Sequence, residues 1–178
     1  MAISAGSLLA FCDDDDYWTD PDHLSACVQL FVANDKLNLV FADQADRRGE
    51  QVVSPIRMGP LIARLNRGPS ETHKAFDLTK RDCLLKYFPH LNSCVMRRQL
   101  FDAAGRFWEM VRYAEDCDLY VRCIESAGDV IYRDATVSVH NIPDYTKQAS
   151  ASTSLTEVEK QLTCTYIALW SSPLLDRT

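Results

Sequence analysis

Two acidic clusters carry the groups most able to do chemistry. Asp13-Asp14-Asp15-Asp16 follows directly on the apolar run Leu8-Leu9-Ala10-Phe11-Cys12, and Glu115-Asp116-Cys117-Asp118 opens a helical pattern much later in the chain. Four adjacent carboxylates repel one another, so a fold keeps them only where something offsets that repulsion. A hard divalent cation, Mg²⁺ or Mn²⁺, is the usual partner of clustered oxygen ligands. Five consecutive apolar residues predict a strand buried on both faces. The carboxyl end of such a strand, in an open α/β sheet, is where ligands bind.

The remaining elements must bring these clusters together. A helix is predicted from the Thr19-Asp20-Pro21 start to about Ala33, with Leu24, Cys27, Val28 and Phe31 at helical spacing. His23 reads as a surface residue. Leu37 to Ala42 predicts a strand, and the polar stretch Asp43 to Ser54, with Gly49 at a turn, predicts a hairpin. A short helix lies between Gly59-Pro60 and Gly68-Pro69, Ser70 to Asp77 reads as loop, and Leu78 to Phe88 reads as helix.

The second half begins with a strand over Asn92 to Met96 and a helix over Arg98 to Ala104, stopped by Gly105. A helix starting at Glu115-Asp116 carries Leu119, Tyr120, Cys123, Ile124 and Ala127 on one face and ends at Gly128. Val130 to Tyr132 and Thr136 to His140 predict two strands. Ser154-Leu155-Thr156-Glu157 matches a capping box, and the helix behind it sets Leu155, Val158, Leu162 and Leu169 on one stripe, stopping by Ser172-Pro173.

With 178 residues, 47% hydrophobic and 25% charged, the chain predicts one soluble domain with a sizeable core. A net charge of −6 argues against nucleic acid as a partner, since phosphate binding needs a basic face. No apolar run reaches the ~20 residues needed to span a bilayer. The seven cysteines form no CxxC pair, and their odd count predicts reduced core thiols in a cytoplasmic protein.

The stretch Gly6 to Trp18, followed by Pro21-Asp22-His23-Leu24, resembles the DXD region of family 2 glycosyltransferases, inverting enzymes of the GT-A fold that use nucleotide sugars. Ser93-Cys94-Val95-Met96-Arg97-Arg98-Gln99-Leu100-Phe101, Gly105-Arg106-Phe107 and Tyr113-Ala114-Glu115-Asp116-Cys117-Asp118-Leu119-Tyr120-Val121-Arg122 resemble that family's second half, in the same order. The resemblance implies an α/β fold, a partial GT-A-like, Rossmann-related mixed sheet flanked by helices. It also implies transfer of a sugar from a UDP-linked donor to a glycan or other hydroxyl acceptor.

Residue by residue, the resemblance makes Asp15 the direct metal ligand. Asp13 and Asp14 would serve the donor's ribose or the metal's water shell, with Asp13 also a possible ligand. Asp116 matches the base that takes the acceptor proton; the positive end of a helix dipole favours a carboxylate there. Glu115 would orient it or cap the helix. His140 matches a late histidine that completes the metal site, and Lys147 would reach the diphosphate. Trp18, Phe107 and Trp108 are candidates for sugar stacking.

The chain departs from the family in lacking the nucleotide-binding βαβ portion ahead of the DXD strand, roughly 60–90 residues at ~30 per unit. The expectation is therefore a C-terminal part of a GT-A-like domain over residues 1–178, inactive or impaired in transfer by itself. Its first strand would be an exposed sheet edge that pairs with a second copy in a homodimer. The competing reading is a non-catalytic, divalent-metal-binding interaction module. An aspartate-nucleophile phosphotransferase also places Asp-x-Asp after a strand, but Asp16-Tyr17 does not supply the small residue that class carries there.

Overall fold

The computed structural model describes residues 4–54, 58–65, 68–70, 74–84, 88–142 and 154–177. Its strands are β1 (Leu8–Ala10), β2 (Tyr17–Trp18), β3 (Leu37–Arg48), β4 (Gln51–Ser54), β5 (Ala75–Leu78), β6 (Cys94–Arg97) and β7 (Asp129–Asn141). Its helices are α1 (His23–Ala33), α2 (Gly59–Leu65), α3 (Lys80–Leu84), α4 (Arg98–Ala103), α5 (Glu115–Ser126) and α6 (Glu157–Arg177), with a 3₁₀ turn over Leu91–Ser93. The strands form one mixed sheet in the order β1-β6-β3-β7-β2, with β4 added to β3 and β5 to β7. Among the described residues β3 and β7 run parallel, and the other pairs are antiparallel.

Each face of the sheet carries its own core. On one face Leu37, Val40, Val95 and Ile131 meet Cys27, Leu30 and Phe31 of α1. On the other, Leu9, Phe41, Met96, Phe76 and Tyr132 meet Leu61, Cys83, Phe101, Leu119, Ile124 and Ile167, drawn from α2 to α6. This is the α/β layering expected, with helices on both sides of a mixed sheet.

Several elements differ from their sequence expectation. β1 is a three-residue edge strand with Leu9 buried and Ala10 exposed, not a central strand buried throughout. Phe11 leaves the strand to pack on Phe101 and Phe107, each ring centroid 6.0 Å away. Part of the expected Ser70–Asp77 loop is β5, whose ladder runs from Ala75↔Arg133 to Leu78↔Val130; four residues are too few to show a period, and β7 supplies the bonds. The two strands expected over 130–140 are one 13-residue strand, because β3 runs beside β7 along most of its length.

Helix starts and faces also shifted. The α6 cap lies two residues later than expected: Thr156 Oγ1 donates to Glu159 Oε2 at 2.7 Å, and the Glu159 N–H donates back to Thr156 Oγ1 at 3.3 Å. Val158, Leu162 and Leu169 face solvent, while Ile167 is the buried contact, because α6 packs on α3 and α5 through its other side. The helix runs past Pro173 to Arg177. The cysteines follow expectation more closely: all seven are free, and Cys27, Cys83, Cys94 and Cys123 are buried.

His23, expected at the surface, is 1% exposed. Its Nδ1 lies 3.7 Å from Cys27 Sγ and 3.5 Å from the Arg133 guanidinium, which is bonded to Asp20 at 2.7 Å. Burial, with the Arg133 charge, pushes its pKa from 6.5 down to about 4. The unfolded chain therefore takes up this proton first as pH falls. Stability is unaffected above the unfolded value and is lost between about pH 6.5 and 4, by about 3 kcal/mol in all. Denaturant titrations of the wild type and His23→Gln across this window should diverge, with the wild type losing more; parallel curves would show that His23 does not titrate this way.

Candidate functional site

The topology places the acidic run. β1 is antiparallel to β6, and β6 to β3, so β1, β3 and β7 point the same way. Their carboxyl ends and the start of β6 share one side of the sheet. The acidic run leaves the end of β1, and the segment His90–Ser93 leads into β6. The pairs Tyr17↔Val139 and Trp18↔Ser138 then bring Asp16 beside His140.

A turn sorts the four aspartates. The Asp16 N–H donates to the Asp13 carbonyl at 3.2 Å, which puts Asp14 and Asp15 at an exposed tip and turns Asp16 inward. The Asp16 side chain is fully buried. Its Oδ1 accepts the Asn141 N–H at 2.7 Å, and its Oδ2 accepts from His140 Nδ1 at 3.1 Å and from Asn92 Nδ2. Burial raises this carboxyl, but the hydrogen bonds from His140 and Asn141 and the charges of His140 and His90 outweigh it, so its pKa lies below the usual carboxylate value.

Asn92, 1% exposed, was not singled out in the sequence. Its Oδ1 accepts the Asp13 N–H at 2.9 Å while its Nδ2 reaches Asp16, and its carbonyl accepts Trp18 Nε1 at 2.8 Å. One amide therefore spans both ends of the acidic turn. His90 was missed too. Its Nε2 lies 3.9 Å from Asp13 Oδ2, and its ring sits 4.8 Å from that of His140. Nothing local marks either residue, since both matter only once β6 lies beside β1.

Asp16, His90 and His140 bring one potential ligand atom each within 4.8 Å of one another. This trio shares His140 with the expected set but holds Asp16 and His90 in place of Asp15 and Asp13. The Asp15 carboxylate stands at the turn's exposed tip, and its backbone carbonyl accepts Asn141 Nδ2 at 2.5 Å. Asp14 is likewise exposed. A carboxylate-and-imidazole donor set fits a divalent cation, and fits Mn²⁺ better than Mg²⁺.

The second acidic cluster reaches the first through space. Partial burial raises the Asp13 carboxyl; His90 pulls it back, while Asp16, Asp15 and Asp116 push it up. Partial withdrawal from water also raises Glu115, partly countered by its own backbone N–H, with Asp116 and Asp13 adding to the rise. α5 starts at Glu115 after Ala114, whose φ of 53° turns the chain sharply into the helix. Asp116 Oδ1 accepts the Cys117 N–H at 2.8 Å, which holds the carboxylate at the helix start.

The three aromatic candidates separate. Phe107 packs on Phe11 and Phe101 in the core. Trp18 is held by Asn92 and is 37% exposed, and Trp108 is exposed beside Tyr166. Lys147 lies outside the described residues.

No protein-family model matches this chain, and no curated protein matches it in sequence. Among solved structures it is similar to the crystal structure of S. aureus TarS 1-349, at 14% identity and a TM-score of 0.59. The match covers 95% of this chain and 42% of that one. TarS is a GT-A-type glycosyltransferase. The chain spans less than half of that structure, and the mixed sheet with helices on both faces is a GT-A-like fold.

Proposed function

We propose that the chain acts in glycosyl transfer, moving a sugar from a UDP-linked donor to an acceptor hydroxyl, of a glycan or another molecule, with inversion. The observation that supports this reading is the gathering of Asp13, Asp16, His90 and His140 at the side of a GT-A-like sheet where β1 and β7 end. A divalent cation, when bound, stabilises the negative charge that develops on the leaving diphosphate. Asp15, Asp13 and His140 would hold it, with Asp16 and His90 beside them, and Asp13 and Asp14 would serve the donor ribose and Lys147 the diphosphate. Asp116 accepts the acceptor's hydroxyl proton, and Glu115 holds Asp116 in place.

Titrating Mn²⁺ with and without a uridine diphosphate sugar tests the reading. Tighter Mn²⁺ binding in the presence of the nucleotide sugar, with its slow hydrolysis, supports it. Mn²⁺ binding that the nucleotide leaves unchanged favours the non-catalytic metal-binding module.

The partner proposed for β1 is a second copy of the chain. Among the described residues β1 ends the sheet, and an apolar edge of unpaired N–H and C=O groups favours isologous antiparallel pairing. Light scattering should give a dimer mass for the wild type and a monomer mass for Ala10→Lys, which charges the edge at an exposed position. A wild-type monomer at every concentration would remove this partner.

A further inference from the structure

We propose that Asp16 and Asn92 are positioning residues that hold the two adjacent histidines in opposite tautomers, making His140 Nε2 the cation ligand and turning His90 Nε2–H toward Asp13. The inference rests on the cation site of the proposed function and assigns parts within it. It follows from which partners can only donate and which can only accept.

A backbone N–H can only donate. The Asn92 N–H meets His90 Nδ1 at 3.4 Å, as His90 caps the 3₁₀ turn, so that nitrogen must accept. In the neutral ring the proton then sits on Nε2, the atom 3.9 Å from Asp13 Oδ2. An ionised carboxylate can only accept. Asp16 Oδ2 meets His140 Nδ1 at 3.1 Å, so that nitrogen must donate, and the lone pair of the neutral ring is on Nε2.

The groups around Asp16 explain why a carboxylate stands there. Asn92 Nδ2, His140 Nδ1 and the Asn141 N–H are all donors aimed at its two oxygens. No amide could accept all three. A histidine that binds a metal commonly gives its other N–H to a carboxylate in this way, which fixes the ring and raises its basicity. The closeness of Asp16 to the two rings is thus accounted for by the hydrogen bond to His140, with Asp16 acting through that ring.

Exchanging the two side chains provides a test. In the double variant Asp16→Asn/Asn92→Asp the carboxylate at 92 still accepts the Asp13 N–H and also accepts one amide hydrogen from position 16. The amide oxygen at 16 still accepts the Asn141 N–H. The second amide hydrogen faces His140 Nδ1, which must now accept, so the ring proton moves to Nε2. The charge and the number of hydrogen bonds are unchanged.

The expected result is a thermal midpoint near that of the wild type, with affinity for Mn²⁺ alone, read by electron paramagnetic resonance, lowered roughly 10- to 100-fold, close to that of His140→Ala. His90→Gln should lose less. Nitrogen-15 NMR of the metal-free wild type should show His140 as the Nδ1–H form and His90 as the Nε2–H form. Wild-type Mn²⁺ affinity in a folded double variant, or His140 as the Nε2–H form in the wild type, would overturn the proposal. If the double variant does not fold, the wild-type tautomers decide by themselves. No readout uses a nucleotide sugar, so a chain that meets them and transfers no sugar overturns the proposed function and not this assignment.

Discussion

Asp116→Asn is expected to lower kcat for sugar transfer by ~10²–10⁴, the usual worth of a positioned general base, with donor affinity little altered. The amide cannot take the proton that an acceptor hydroxyl must lose as it attacks. The geometry favours a clean result. Asp116 sits in the first turn of α5 with Oδ1 held by the Cys117 N–H, and the amide oxygen of asparagine can keep that bond. Its negative field on Asp13 disappears with the charge, so Mn²⁺ binding should not tighten through this position. Steady-state kinetics in protein that turns over, with donor binding measured separately, make the comparison. Near-normal turnover in the variant would mean that another group takes the proton. Glu115→Gln should cost less, since Glu115 acts through Asp116.

A second large effect is expected from Arg122→Ala, this time on stability. Arg122 Nη2 and Nε bond Asp118 Oδ2 at 2.5 and 3.1 Å, and the pair's side chains are 14% and 4% exposed. Its Nη1 donates to the carbonyls of Ala104 and Arg106, which lie either side of Gly105 at φ 81°. One guanidinium therefore neutralises a buried acid and satisfies the carbonyls where α4 ends. Removing it leaves the Asp118 charge buried without a partner, a loss of about 3–5 kcal/mol and a large share of the ~5–15 kcal/mol of a typical domain. Chemical denaturation should show this loss, and Asp118→Leu/Arg122→Met should recover part of it, because the apolar pair has no charge to desolvate although the Ala104 and Arg106 carbonyls still lose their donor. A loss under about 1 kcal/mol in the single variant would mean that water reaches Asp118 readily. The effect bears on the site as well, since Arg122 ties the turn after α4 to the helix that presents Asp116.

The elements with strong local signals are those the sequence predicted well. α1 and α5 show apolar residues at helical spacing over three turns, and they form close to the predicted bounds. Gly105 stops α4 in the left-handed conformation that glycine tolerates. The hairpin at Gly49 forms, with β3 running further into the polar stretch than its apolar pattern indicated. Short or edge elements were misread for one reason. β5 has four residues and β1 three, and such segments become strands only because a neighbour completes their hydrogen bonds. The outward stripe of α6 was misplaced because helical spacing identifies an apolar face without saying which face the neighbouring helices cover.

The same division runs through the candidate site. By itself the sequence determined that acidic groups follow the first strand and open α5, since both are local features of composition and helix initiation. Tertiary structure alone decided which carboxylate turns inward. Four identical side chains in a row are indistinguishable until the turn from Asp13 to Asp16 and the β2–β7 pairing bury one of them against His140. It likewise decided that Asn92 and His90 belong to the site, because antiparallel pairing of β1 with β6 brings residues some 80 positions away against the acidic turn. Burial at 1% leaves the Asn92 amide no water to bond, so its partners must come from the turn it holds. That demand arises only after the chain has folded.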